Sequence, residues 1–148
     1  MHTLRSLLVI MLTAVAVLVV ATPSDAAVSR GSIQIHSRVC DPGAIQLYRD
    51  CHDNPGPAGA TYTIDKRVPK AIADSGNVSF GRVIAGDHLV TLTSGYDPDA
   101  HSRLYAYCSN STTGLYPTIA TILYSETPQF WVRLAAGSRL TCDVYFVP

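Results

Sequence analysis

The residues of this chain with chemistry to offer are four cysteines, five histidines and a few aspartates close to two of them. Cys40, Cys51, Cys108 and Cys142 form an even set. In an exported chain such a set reads first as two disulfides, and the count alone leaves three connectivities open. Zinc needs closely paired ligands such as Cys-x-x-Cys, and only Cys51-His52 is local, so no metal site is expected. His52 lies beside Asp50 and Asp53, a trio able in principle to hold a cation, but a solvated acidic loop is the expected state. Asp97 and Asp99 precede His101 in the manner of a calcium loop without the rest of its ligand spacing, which leaves a turn. His36 and His88 fall in strand-like runs, where a structural or surface role is expected, and His2 belongs to the leader. With no Gly-x-Ser-x-Gly and the cysteines committed to bridges, no nucleophile, catalytic residue or cofactor is predicted.

The elements that must position these residues are short alternating runs broken by Gly, Pro, Asn and Asp, an all-β pattern from Gly31 onward. "SIQIHSRV" (Ser32 to Val39) is a first strand, although Ser37 interrupts its apolar face. Cys40 to Ala60 is dense in Pro and Gly and bracketed by two cysteines, so it reads as a stapled loop with a helical turn near Ile45 to Arg49. "TYTIDKRV" (Thr61 to Val68) is a second strand. "NVSFGRV" and "HLVTLT", separated by the turn Ala85 to Asp87, read as a hairpin that sets Val78 and Phe80 opposite the apolar positions of its partner. "RLYAYC" (Arg103 to Cys108), "TIATILY" (Thr118 to Tyr124) with "QFWVRL" (Gln129 to Leu134), and "RLTCDVYFV" (Arg139 to Val147) complete seven or eight strands. Recurrent turns between so many strands favour a sandwich over a closed barrel. Cys108 and Cys142 both point to the inward side of their strands, which suits a bridge across the core. Cys40 and Cys51 flank one loop and suit each other.

Ahead of this domain, Leu7 to Ala21 is almost purely apolar and follows a short basic leader. A spanning helix wants about 20 apolar residues and a secretory core about 7–15, so residues 1–26 read as a signal-peptide helix cleaved after Ala26, the alternative being an uncleaved membrane anchor. Residues 27–148 are then one domain's length of chain, able to build its own core. No second spanning run follows, so no stable membrane insertion is expected after cleavage. The formal net charge is zero, which provides no electrostatic footprint for nucleic acid. Two sequons, Asn77-Val78-Ser79 and Asn110-Ser111-Thr112, matter only in a host that glycosylates them.

Gly31 with Ile33, then Gly76, Val78, Phe80, Val83, Gly86, Val90, Leu92 and Gly95-Tyr96, resemble the strand and turn positions of prealbumin-like β-sandwich domains of bacterial surface proteins, the collagen-adhesin B-type repeat. The closing "Cys-x-x-Tyr-x-Val-Pro", Cys142 to Pro148, resembles a cysteine-bearing variety found in secreted and surface proteins. The resemblance implies a prealbumin-like sandwich with a structural or adhesive role. Many such domains carry an internal amide bond between a first-strand Lys and a last-strand Asn, assisted by a buried carboxyl. Here the first strand has Gln34, His36 and Arg38 but no Lys, the carboxyl position falls on Leu92, or on Thr91 or Thr93 if the register slips by one, and the Asn position on Phe146. No such bond is expected, and disulfides take over the covalent clamp. The transthyretin-like hydrolase of purine breakdown resembles this chain in architecture alone, since its site motifs are missing.

The remaining surface signal is aromatic. Tyr105 and Tyr107 alternate with the inward face of their strand, and Tyr96, Tyr116 and Tyr124 lie near strand ends. Exposed rings of this kind suit recognition of an extracellular protein or carbohydrate. The expectation is a secreted or surface-associated, disulfide-linked, non-catalytic domain that binds through Tyr96, Tyr105, Tyr107 and Tyr116. The alternative is a secreted enzyme or inhibitor acting through the Cys40 to Cys51 loop.

Overall fold

A computed structural model describes residues 28–97, 99–110, 118–122 and 127–148. The expected signal helix, Tyr116, Tyr124 and the end of the second sequon lie outside the described residues. Nine strands are present among those described: β1 (Arg30–Val39), β2 (Thr61–Ile64), β3 (Lys70–Ala71), β4 (Asn77–Ile84), β5 (Gly86–Ser94), β6 (Arg103–Asn110), β7 (Thr118–Ile122), β8 (Gln129–Leu134) and β9 (Arg139–Val147). A single turn of helix, α1 (Leu47–Asp50), interrupts the loop after β1. The strands form a five-stranded sheet in the order β4-β1-β9-β6-β7 and a four-stranded sheet in the order β3-β2-β5-β8. The fold is an all-β sandwich, with β3 the short addition to the seven or eight strands expected.

Alternation explains the packing. In β8, Phe130, Val132 and Leu134 are buried while Gln129, Trp131 and Arg133 face water. β6 and β9 turn Leu104, Ala106, Cys108, Cys142, Val144 and Phe146 into the same interior. Ile33 and Ile35 of β1 meet Tyr62, Ile64, Val90 and Leu92 from the opposite sheet in one continuous core. Ser37 does not break the buried face of β1. It is fully buried on that face, its hydroxyl 2.5 Å from the Tyr62 hydroxyl, so each satisfies the other inside the core. Burial of the Tyr62 phenol pushes its pKa well above the ordinary tyrosine value, and the Ser37 hydrogen bond opposes this only in part.

The hairpin expectation is corrected. β4 pairs with β1, and β5 pairs with β2 and β8, so the two runs lie in different sheets. Val78 and Phe80 meet Val90 and Leu92 across the core rather than along a shared ladder. The chain crosses over at Ala85, whose N–H donates to the Ser29 carbonyl at 2.9 Å instead of closing a hairpin turn. Before the crossover β4 carries a bulge: Phe80 is opposite Ile33 and Val83 opposite Gly31, leaving Gly81 and Arg82 between, with Arg82 at φ 54°. The extra residue shifts the alternation by one position and keeps Val83 buried.

β2 stops at Ile64, short of the expected Val68, because Asp65 and Lys66 adopt φ values of 50° and 60° and reverse the chain. Asp65 fixes this turn to the crossover. Its Oδ1 accepts the Leu89 N–H at 2.9 Å, and its Oδ2 lies 2.5 Å from Nδ1 of the buried His88. The other ring nitrogen of His88, Nε2, donates to the Ile84 carbonyl at 2.6 Å. Burial raises the Asp65 pKa, but the bonds from His88 and Leu89 and the nearby charges of His88 and Arg67 outweigh it and leave the carboxyl lowered.

Candidate binding groove

Both disulfides form as the strand faces and the loop suggested: Cys40 to Cys51 and Cys108 to Cys142. Cys108 and Cys142 are directly opposite in the antiparallel β6–β9 ladder. That bridge therefore ties neighbours within one sheet and does not cross the core to the other sheet, although its sulfurs face inward.

The Cys40–Cys51 bridge lies on the outer side of the same sheet. There the period of two along three interior strands builds a grid. Register places His36 of β1, Asp143 of β9 and Tyr107 of β6 in one row, and Arg38, Tyr145 and Tyr105 in the next. Cys40 continues past the end of β1, its N–H donating to the Phe146 carbonyl at 2.8 Å, and the loop returns along β1 through Val39 N–H to Asn54 O and Gly56 N–H to Ser37 O. Cys51 closes it back onto Cys40, and both sulfurs pack with Tyr145 in a second small core flanked by Leu47, Tyr105 and Tyr107.

Between this loop and the grid runs a groove of about 1020 Å³. Its floor is the two rows, and its wall is α1 with Tyr48, Arg49 and His52. Tyr145 is buried under the loop, Tyr105 and Tyr107 are half-buried, and Tyr48 stands 71% exposed on the wall. The Tyr107 and Tyr145 rings meet edge-to-face with centroids 5.8 Å apart, and Tyr48 meets His52 in the same manner at 5.7 Å. His36 Nδ1 lies 3.1 Å from Asp143 Oδ1. Burial, reinforced by the negative charge of Asp143, pushes the Tyr145 pKa up to about 12, so the phenol is neutral at physiological pH.

The Asp50, His52 and Asp53 trio does not converge. The Asp50 carboxylate turns back to accept the Ile45 and Gln46 N–H groups at 3.0 and 2.9 Å and pairs with Arg49 at 2.8 Å. The Gln46 bond and then the Arg49 and Ile45 bonds hold its pKa down at about 2. His52 instead pairs with Asp53 at 2.8 Å in the open. Among the described residues no group of three or more His, Cys, Asp or Glu could hold a metal ion.

Of the tyrosines singled out from sequence, Tyr105 and Tyr107 meet in the groove. They form the floor of a concave surface and not a flat patch. Tyr96 is elsewhere: half-buried against the main core, tilted over Phe146 at 6.3 Å, its hydroxyl donating to the His101 carbonyl at 3.0 Å. Tyr116 is outside the described residues. Tyr48, Tyr145, Arg38 and Arg103 were not singled out. Alternation opposite Cys142 and Val144 was a signal for Tyr145, whereas nothing local marks Tyr48.

No protein-family model, curated protein or solved structure matches this chain. The two disulfides are consistent with an extracytoplasmic setting. Among the described residues no helix is long and apolar enough to cross a membrane.

Proposed function

We propose that the protein is a secreted or surface-associated binding domain of the prealbumin-like type, and that it holds an extracellular carbohydrate or protein in the groove between the Cys40–Cys51 loop and the outer face of the five-stranded sheet. One observation carries this reading. A disulfide-pinned loop stands over two cross-strand rows that present Tyr105 and Tyr107, backed by the buried Tyr145, beside His36, Arg38 and Asp143. Rings with an apolar face and a polar tip, fixed on a rigid sheet, contribute contact area at little entropic cost. The rival role, an enzyme or inhibitor working through the loop, is weakened because Asp50 is spent on the loop's own amides.

The test is retention of the purified, oxidised protein on separated polysaccharide and protein fractions of the cell envelope, compared with Tyr48→Ala and with Tyr105→Ala/Tyr107→Ala. Tyr48 is mostly exposed, so its loss leaves the fold intact and reports on binding alone. Each variant is expected to weaken retention by about tenfold or more, the size of a lost aromatic contact. Undiminished retention rejects the groove, and chemical turnover of the retained material would favour the enzyme.

A further inference from the structure

The lining of the groove discriminates between ligand chemistries. We propose that its occupant is an acidic saccharide, a glycan bearing uronic-acid carboxylates; this rests on the groove being the binding surface.

The backbone argues against a peptide strand. β1 is paired on both edges, with β4 and β9; β9 lies between β1 and β6; β6 lies between β9 and β7. The floor therefore exposes no free row of N–H and C=O groups for strand addition, a recurring way in which a sheet takes up an extended peptide. Recognition has to come from side chains standing off the sheet. Those side chains are tyrosine planes beside short polar groups: Tyr105 and Tyr107 sit about 7 Å apart along β6, next to Asp143, Thr141 and Ser109. A pyranose ring has the matching character, with C–H faces to lie on an aromatic plane and hydroxyls at its rim to meet the polar groups.

Charge then selects among saccharides. Three arginines, Arg38, Arg49 and Arg103, line the groove against one carboxylate, Asp143. Asp143 already faces His36, and Arg49 is offset by Asp50. Arg38 donates to the Ser37 and Ser75 carbonyls at 2.9 and 3.1 Å and to Asn77 Oδ1 at 3.3 Å, contacts that fix its position and leave its charge uncancelled. Arg103 is exposed and forms no ion pair among the described residues. The surplus is positive, and a guanidinium takes a carboxylate with two parallel bonds. A neutral glycan leaves this surplus unused.

Calorimetric titration of the oxidised protein decides the matter, using oligogalacturonate and hyaluronate fragments, neutral malto-oligosaccharide of matched length, and a poly-glutamate peptide. The uronate fragments are expected to bind about tenfold or more tightly than the neutral one, and to weaken severalfold between about 0.05 and 0.5 M salt. Arg103→Gln should weaken the uronate fragments far more than the neutral one and so remove most of that preference, whereas Tyr48→Ala should weaken both alike. Equal affinity for neutral and acidic fragments overturns the charge inference and leaves the groove reading standing. Preference for poly-glutamate overturns the saccharide and also leaves the groove standing. Binding to none of the saccharides overturns this proposal, and the groove reading is then decided separately by envelope retention of the tyrosine variants.

Discussion

Cys108 and Cys142 join residues that a ladder of eight registered pairs already holds opposite each other, with their sulfurs against the core. Cys40 and Cys51 join the ends of a segment that no ladder holds, on the other side of the same sheet. The helix inside that segment buries none of its residues, and Ile45 and Tyr48 are 88% and 71% exposed. One bridge thus adds to an arrangement that hydrophobic burial and hydrogen bonding enforce. The other adds to a small core around Tyr145 and to a few loop hydrogen bonds, where no strand ladder holds the chain. A covalent link is most informative about function where little else explains the geometry it preserves.

The largest expected effect falls on the core-facing bridge. It closes a loop of 34 residues, for which the chain-entropy estimate is roughly 4 kcal/mol. Cys108→Ala/Cys142→Ala should lose about that much stability in urea unfolding, while its folded fraction keeps groove affinity. A large loss of affinity at full folding would erase the division between the two bridges. Next comes Cys40→Ala/Cys51→Ala, with a loop of 11 residues and roughly 3 kcal/mol at most. Here hydrogen exchange should accelerate at Ile45, Gln46 and Asp50 but not in β6 or β9, and groove binding should fall by more than in the first variant. Uniform acceleration across the sheet would show that the loop is part of the same cooperative unit.

Smaller changes sharpen the contrast between core and surface. Tyr62→Phe leaves the Ser37 hydroxyl buried without its partner and should cost about 1–2 kcal/mol in thermal or urea unfolding, and adding Ser37→Ala should recover part of it. Full additivity of the two would contradict their pairing. The smallest effect concerns pH. The Asp65 pKa is lowered in the folded state, so its contribution is present above the ordinary carboxyl value near 4 and is lost as pH falls through the lowered one. Its side chain is 40% exposed, which limits the contribution to about 1 kcal/mol or less. Asp65→Asn should therefore flatten the decline of stability below about pH 4, measured by urea midpoints across pH; an unchanged slope would assign that decline to other carboxyls.

Much of the sandwich was legible in the sequence because alternation is a local signal. The faces of β6 and β9 could be read off Leu104, Ala106 and Cys108 and off Leu140, Cys142, Val144 and Phe146, and with them the cysteine pairing. The same alternation could not say which sheet a strand joins. β4 and β5 each carry a good apolar face, and whether those faces lie side by side or across the core depends on the bulge at Arg82 and the crossover at Ala85, where Ala85-Gly86-Asp87 gives the same turn signal for a hairpin as for a crossover. At the groove, Tyr105 and Tyr107 were marked by their position opposite the inward face. Tyr48 and Arg103 were not, since they become part of one surface only when the loop folds back over strands far away in sequence.

The parallel pairing of β1 with β9 has a kinetic consequence. Ser32 aligns with Arg139 and Val39 with Phe146, so the first strand gains its second neighbour only when a segment more than a hundred residues later is in place. Contacts of such long sequence separation slow the search for the native state. A growing or threading chain can form β1 against β4 early, yet the centre of its larger sheet stays open until residues 139–147 arrive to fill the gap between β1 and β6. The domain closes from its middle, and last.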